Sequence, residues 1–280
     1  MIRFNARPVL LSLLGLCAHA AMADAPSVEP GLRIAETPSG VRYGLWGREP
    51  AAPAPLLIIL SASIEESLGE DYFRQCGTAL AQDSGYVCVS IDLPAHGPQQ
   101  RADERRGLDG WRDRVDRGED FVAENNARLH AVVDHLVATG VADANRIAAC
   151  GTSRGGFMAM HYAAADPRVR CVAAFAPVTD LVALREFAGA ETGPLVAKLA
   201  LRERAADLAA RSLWVIIGDR DVRVDTDAAI ALVRAVTAAA LAAGVNPQAE
   251  IHVLPEPKGH TTPAGAPAAA AAWIAAHTTP

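Results

Sequence analysis

The motif most indicative of the fold is Gly151-Thr152-Ser153-Arg154-Gly155, which matches the pattern G-x-S-x-G. The apolar run at 146–150 predicts a buried strand before it, and residues 155–165 predict a helix after it. A chain that passes at once from strand to helix strains its central residue, and side chains two positions to either side would collide. The two glycines therefore predict a sharp turn that lifts the Ser153 hydroxyl above the carboxyl edge of a sheet.

Along the rest of the chain, short β-rich runs alternate with helical stretches. This alternation predicts a mostly parallel sheet with helices on both faces. The continuous apolar run at 56–60 is typical of a strand that is buried on both faces. Further strands are predicted at 32–36 and 41–46, as a hairpin, and at 86–91, 170–175, 213–217 and 249–254. We therefore expect an α/β fold with a central sheet of about eight strands.

Three stretches between the predicted strands have weaker patterns. Residues 71–84 predict one helix that ends at Gly85. Residues 98–118 are rich in Arg and Asp, and we interpret them as a surface loop. Residues 177–211 are predicted to be helical and amphipathic. None of these stretches has the composition of a linker or repeat, so one domain is predicted over residues 24–280.

The first 23 residues resemble a cleavable secretory signal. Arg3 and Arg7 form a basic start, an apolar run covers residues 9–16, and Ala21-Met22-Ala23 supplies small residues before a cleavage site. The apolar run is too short for a membrane-spanning helix, which needs about 20 residues. We expect cleavage after Ala23, with Ala20 as the alternative, and a secreted or periplasmic protein without an integral membrane segment.

Composition excludes several classes of protein. The chain has 280 residues, of which 51% are hydrophobic and 21% charged, and its net charge is −6. This apolar content excludes a disordered chain. Without the two arginines of the leader the net charge becomes −8. An acidic chain lacks the clustered Lys and Arg that a nucleic-acid surface needs, so we expect no nucleic-acid partner.

Four cysteines remain when the leader, which contains Cys17, is removed. They are Cys76, Cys88, Cys150 and Cys171. In an exported protein an even number permits two disulfides, in three pairings, of which a Cys76–Cys88 bridge is favoured by closeness in the chain. Cys150 and Cys171 fall in predicted buried strands, where a free thiol behaves as a small hydrophobe. No Cys/His spacing indicates zinc, and no cofactor or metal is expected.

A serine hydroxyl needs a base to take its proton, and that base needs an acid to orient it. His260 follows the predicted strand at 249–254, and Asp219 and Asp221 follow the one at 213–217. Because the carboxyl ends of parallel strands meet at one sheet edge, these loops are predicted to converge on Ser153. Asp180, after the strand at 170–175, is a third candidate for the acid.

These motifs resemble the α/β-hydrolase superfamily, and more narrowly its secreted esterases and its dienelactone-hydrolase or prolyl-oligopeptidase-type catalytic domains. The resemblance covers nearly all of residues 24–280, including the D-x-P-x-H-G loop at Asp92, the G-x-x-D run at Gly218 and the G-H pair at Gly259. It implies the α/β-hydrolase fold with a small cap at 177–211. It also implies that the acid lies three residues beyond the glycine, which favours Asp221.

The oxyanion hole of such an enzyme needs two backbone N–H groups. One is expected from Arg154, immediately after the nucleophile. The other is expected from the loop after the strand at 56–60, where Ser63 is favoured over Ala62. Lipase-like relatives carry His-Gly-Gly at that point, and this chain does not. Ala62, His96 and Trp111 are candidate substrate contacts, with a structural role as the alternative for His96.

The resemblance and the three candidate residues together predict a secreted serine esterase. Ser153, His260 and Asp221 are expected to form its catalytic triad and to act through an acyl-enzyme. The expected substrate is a small-molecule or carbohydrate-linked ester. Two alternatives stay open: a prolyl-oligopeptidase-type peptidase, although no propeller-sized region precedes the domain, and a non-catalytic binding protein of the same fold.

Overall fold

One sheet of eight strands runs through residues 31–278, the part of the chain that the computed structural model describes. In chain order the strands are β1 (Arg33–Glu36), β2 (Arg42–Trp46), β3 (Ala54–Leu60), β4 (Val87–Ser90), β5 (Ala142–Thr152), β6 (Val169–Phe175), β7 (Ser212–Gly218) and β8 (Ala249–Leu254). Across the sheet their order is β1-β2-β4-β3-β5-β6-β7-β8. The first two pairings are antiparallel and the other five are parallel. The predicted mostly parallel α/β fold is confirmed.

Helices cover both faces of the sheet. They are α1 (Ile64–Gly69), α2 (Asp71–Arg74), α3 (Gly77–Asp83), α4 (Leu108–Asp116), α5 (Phe121–Ala138), α6 (Arg154–Ala165), α7 (Pro194–Leu199), α8 (Ala205–Leu208), α9 (Thr226–Ala242) and α10 (Ala266–Thr278). The core has two layers, one between the sheet and α4–α9 and the other between the sheet and α1–α3 with α10. Strand β3 shows why its sequence is apolar throughout. Ile58 and Leu60 face the first layer and Leu57 and Ile59 the second, so every side chain is buried.

The predicted surface loop at 98–118 contains helix α4, and the loop prediction is wrong there. Its charges pair with one another: Arg105 binds Asp109 at 3.0 Å and Asp113 at 2.6 Å. On the opposite side of the helix, Trp111 is fully buried. The helix is therefore amphipathic: its exposed charges face solvent, and its other face packs on the core with Trp111 and the buried Arg114.

The single helix predicted over 71–84 is divided into α2 and α3. Gln75, between them, has a backbone φ of +49°. A Cβ atom at Gly77 would lie 2.5 Å from Ile59 Cδ1, so α3 starts closer to the sheet than a residue with a side chain permits. Segment 177–211, predicted to be helical, has only the short helices α7 and α8 and single turns, with Phe187, Val196 and Leu201 buried. These three residues belong to the first core layer.

The four cysteines are free and buried in this structure, so the favoured Cys76–Cys88 bridge is not formed. Burial raises the pKa of the Cys88 thiol far above its usual value. Residues 31–278 include no helix with the length and hydropathy needed to cross a bilayer. The predicted signal sequence at 1–23 lies outside the described residues.

Candidate active site

Ser153 lies at the turn between β5 and α6, with φ +54° and ψ −117°. Its backbone is held on both sides, because its N–H donates to the Phe175 carbonyl at 2.9 Å and its carbonyl accepts from Val178 N at 3.1 Å. A residue with a side chain adopts this left-handed φ only where its surroundings enforce it. The strained turn predicted from the pentapeptide is therefore present.

The glycines beside Ser153 are required by close backbone contacts. A Cβ atom at Gly155 would lie 1.8 Å from the Leu60 carbonyl oxygen, and one at Gly151 would lie 2.3 Å from Gly155 C. These contacts let the start of α6 press against the end of β3. The loop after β3 is thereby brought beside the nucleophile turn.

His260 connects Ser153 to Asp221. Its Nε2 atom lies 3.0 Å from Ser153 Oγ, and its Nδ1 atom lies 2.8 Å from Asp221 Oδ2. With a proton on Nδ1 donated to the carboxylate, Nε2 is free to accept the serine proton. The imidazole is 30% exposed, whereas the Asp221 side chain is fully buried. Three loops far apart in sequence thus bring together the groups of a serine nucleophile, a base and an acid.

Asp221 is held by its own loop. Its Oδ1 atom accepts the backbone N–H groups of Arg223 at 3.1 Å and Val224 at 3.3 Å, which leaves Oδ2 for His260. Asp219 instead accepts Glu256 N–H at 3.2 Å, and so ties the acid loop to the loop that carries His260. Asp180 caps a single turn by accepting Val182 N–H. Of the three candidate acids, Asp221 contacts the histidine.

Gln75 also contacts the site, and the sequence analysis does not predict this contact. Its side-chain amide donates to Thr152 Oγ1 and to Thr262 Oγ1, both at 3.0 Å. Thr152 immediately precedes Ser153, and Thr262 follows His260 by two residues. Gln75 therefore joins the nucleophile turn to the histidine loop. Because residue 75 lies inside a predicted helix, the sequence does not indicate this role. Gly77 is the one nearby residue that suggests an interruption of that helix.

The predicted oxyanion donors lie in different situations. Arg154 is the first residue of α6, so its N–H has no partner within the helix. Ser63 N–H, in contrast, donates to Glu66 Oε2 at 3.2 Å within a capping box, and Ala62 N–H donates to Ser67 Oγ at 3.3 Å. A role for Ser63 as second donor requires the Glu66 carboxylate to release it. That role stays a prediction.

The other predicted substrate contacts are buried. Trp111 packs against Phe121 and Phe157 and donates its indole N–H to the Pro94 carbonyl at 2.7 Å. It belongs to the core, and its predicted role as a substrate contact is wrong. Ala62 is also fully buried. The sequence pattern places Trp111 in a surface loop, whereas the residue lies on the inner face of α4.

His96 is 3% exposed, and its Nδ1 atom donates to the Pro94 carbonyl at 2.9 Å. Burial, and then the nearby Arg154 charge, lower its pKa to about 4. The ring is therefore neutral at pH 7. The structural alternative describes His96 better than a substrate contact.

A groove of about 370 Å³ lies beside the acid loop and is open to solvent. Its lining includes Arg220, Val222 and Asp225, and the Val222 side chain is almost fully exposed. Within 31–278, no three His, Cys, Asp or Glu side chains are grouped as metal ligands. The chemistry that the arrangement offers is nucleophilic attack by Ser153.

Sequence comparison identifies the family. The model of the prolyl oligopeptidase family matches residues 111–277, which is more than half of the chain and includes all three triad candidates. No curated protein matches the chain.

Solved structures with the same fold include both esterases and peptidases. Acetyl xylan esterase 1 from Thermoanaerobacterium sp. JW/SL YS485 is 17% identical over 90% of each chain, with a TM-score of 0.59. A cold-adapted esterase from an Arctic intertidal metagenomic library is 17% identical over 88% of this chain and 92% of its own, with a TM-score of 0.62.

A puromycin-hydrolysing peptidase from Mycobacterium tuberculosis is 14% identical over 89% of this chain, with a TM-score of 0.62, and this chain spans only 38% of its length. At identities this low, the structural similarity shows the fold alone. Together with the family match, it shows that the chain belongs to the prolyl oligopeptidase family and is a serine hydrolase of the α/β-hydrolase type.

Proposed function

We propose that the protein is an exported carboxylesterase that cleaves its substrate through a Ser153–His260–Asp221 triad. The observation that carries this proposal is the continuous hydrogen-bonded series from Ser153 Oγ through both ring nitrogens of His260 to Asp221 Oδ2. Such a series is the geometric signature of an activated serine on any fold.

The reaction follows from these contacts. His260 Nε2 accepts the proton as Ser153 Oγ attacks the ester carbonyl, and the Arg154 N–H stabilises the oxygen that becomes negative. Asp221 holds the imidazole in the tautomer that can accept this proton and stabilises the imidazolium that forms. His260 then returns the proton to the departing alcohol. Water attacks the acyl-enzyme with the same histidine as base, which releases the acid and restores Ser153.

An ester substrate is supported by the open rim of the site. Segment 177–211 packs on the core through buried apolar residues, and the His260 side chain is 30% exposed, which favours a small or surface-linked ester. The esterases of similar fold have chains of comparable extent. The family match and the similarity to a puromycin-hydrolysing peptidase favour the second candidate function, hydrolysis of peptide amides.

Matched substrates distinguish the two functions. Ethyl butyrate and N-ethylbutyramide differ only in the bond that is cleaved, and glycyl-prolyl 4-nitroanilide tests the peptidase directly. An esterase is expected to hydrolyse ethyl butyrate at a rate measurable in a pH-stat and to leave both amides intact. Turnover of the anilide with a higher kcat/KM than the ester would reject the proposal in favour of a peptidase.

Export is proposed on the composition of residues 1–23. Expression of the full chain in a Gram-negative host, followed by N-terminal sequencing of the periplasmic protein, tests it. The expected mature start is Asp24. An intact Met1 in the cytoplasmic fraction, with none in the periplasm, would contradict export without affecting the esterase proposal.

A further inference from the structure

Arg154 has a positive charge that no contact neutralises. Its Nε atom is buried without a hydrogen-bond partner, and no ion pair or side-chain hydrogen bond joins its guanidinium to any residue in the described part of the chain. Arg114, by comparison, is only 1% exposed and donates to Glu104 at 2.8 and 2.9 Å. Arg154 is half-buried, and its unpartnered Nε costs folding free energy that a ligand able to accept from the guanidinium would offset.

The charges that act on Arg154 come from loops at the carboxyl edge of the sheet. Burial lowers the pKa of its guanidinium, Glu66 raises it, and Arg106 and Arg223 lower it again. A guanidinium nevertheless stays protonated at neutral pH. Two of its three charged neighbours are themselves positive, so the surroundings of Arg154 favour an additional anion.

The one acidic neighbour is already engaged. Glu66 Oε2 accepts both the N–H and the hydroxyl of Ser63 at 3.2 Å. Arg223 is satisfied in turn by Glu186 at 2.7 Å. Arg154 and the exposed Arg106 thus both have donors to spare in the described part of the chain, and of the two Arg154 adjoins the nucleophile.

We propose that the Arg154 guanidinium binds a carboxylate of the substrate, so that Ser153 cleaves anionic esters in preference to neutral ones. This inference rests on the proposed esterase function and specifies its substrate class. The guanidinium feels the charges of Glu66, which holds the Ser63 loop, and of Arg223 in the acid loop, so it lies among the loops that surround Ser153 and within reach of a molecule bound there. The planar fork of a guanidinium fits a carboxylate in a bidentate manner. The carboxylate can belong to the acid or to the alcohol part of the ester.

Two matched pairs of esters separate these sources. For the acid part, 4-nitrophenyl hydrogen adipate is compared with 4-nitrophenyl methyl adipate. For the alcohol part, 4-acetoxybenzoate is compared with methyl 4-acetoxybenzoate. In each pair the measured quantity is the ratio of kcat/KM for the anionic ester to kcat/KM for the neutral one, and intrinsic reactivity cancels when variants are compared.

Arg154→Gln is expected to lower this ratio about tenfold or more in at least one pair, because a charge-assisted hydrogen bond is lost. Arg154→Lys keeps the charge without the fork and should give an intermediate ratio. Arg220→Gln is the matched control, since it removes an arginine that is 79% exposed on the acid loop. Its ratio should equal that of the wild type. The urea midpoint of Arg154→Gln should equal or exceed the wild-type midpoint, whereas a merely structural arginine would lower it.

An equal loss on both members of each pair would overturn the inference, because the guanidinium would then act on the reacting carbonyl. An equal change of the ratio in Arg220→Gln would also overturn it, as a long-range charge effect. If the wild type cleaves neither ester, the proposed function fails by itself. Calorimetry of monomethyl adipate with Ser153→Ala and with Ser153→Ala/Arg154→Gln then decides the inference: binding lost with Arg154 supports it, and equal or absent binding overturns it.

Discussion

The two edges of the parallel sheet differ in which residues adopt positive backbone φ angles. At the amino edge, the turns before β4, β5 and β8 reach positive φ at Gly85, Gly140 and Gly244. A Cβ atom at any of these three would meet nothing within 4 Å. These glycines end helices in open space, where only backbone conformation matters.

At the carboxyl edge, positive φ values occur at Gly97 and Gly259 but also at residues that have side chains. They follow β4, β5, β6 and β7 at Ala95, Ser153, Ala176 and Asp225. The difference indicates that backbone strain is retained where a particular side chain is needed. An unstrained glycine at 153 would satisfy the turn but would supply no nucleophile, so the surrounding contacts hold a serine there instead.

The largest expected effect on activity comes from a substitution of Asp221, at the carboxyl edge of the sheet. Asp221→Asn is expected to lower kcat about 10⁴-fold, because the amide favours the wrong tautomer of His260. Asp219→Asn should stay close to the wild type, since its remaining carbonyl oxygen still accepts Glu256 N–H. Both values come from steady-state hydrolysis of a 4-nitrophenyl ester. Equal losses in the two variants would remove Asp221 from the triad.

A comparison of glycines tests the two edges directly. Gly155→Ala is expected to destabilise the protein by more than about 3 kcal/mol, because its Cβ would overlap the Leu60 carbonyl. Gly140→Ala has open space and should cost only about 1–2 kcal/mol for a left-handed φ. Urea unfolding at pH 7 measures both. Similar free energies of unfolding would show that the edges do not differ.

A substitution at Gln75 tests whether a residue with a strained backbone outside the triad positions the triad residues. Gln75→Met removes the hydrogen bonds to Thr152 and Thr262, and kcat is expected to fall about tenfold, the equivalent of one net hydrogen bond. The assay is run where circular dichroism shows the variant fully folded. An unchanged kcat would limit Gln75 to a structural role.

The smallest effect concerns pH and the two buried histidines. Burial, as the main cause, lowers the pKa of both His96, at the carboxyl edge, and His161, inside α6, to about 4. Since these pKa values lie below the unfolded value, the unfolded chain binds more protons between about pH 6.5 and 4, and stability falls as the pH falls through this window.

In His161→Gln the free energy of unfolding is expected to decline less steeply with falling pH, by at most about 1.4 kcal/mol per pH unit. Urea titrations at pH 7, 6 and 5 give the two slopes. A His161→Gln slope equal to that of the wild type would show that His161 does not resist protonation.

Local patterns made most of the fold predictable. The apolar run of β3 and the bounds of β8 follow from a few neighbouring residues, as does the turn at Ser153, because glycine and strand signals are short-range. The same local signals bring the Asp221 and His260 loops to the sheet edge that carries Ser153. The helix α4 was missed because its charges pair along one face while Trp111 packs inward.

Long-range contacts were not predictable. Gln75 binds Thr152 and Thr262, which are 77 and 187 positions away in sequence. Likewise, nothing local distinguishes an exposed arginine at a helix start from Arg154, whose Nε is buried without a partner. Such features depend on which loops meet in space, and a single sequence does not encode that in any short motif.

The proposed function requires the strained Ser153 to be an activated nucleophile. A fluorophosphonate reacts covalently with such a serine, and intact-mass spectrometry of the full chain measures the adduct. We predict one adduct on the wild type, located at Ser153 by peptide mapping, and none on Ser153→Ala. An unlabelled wild type, or equal labelling of Ser153→Ala, would contradict the account.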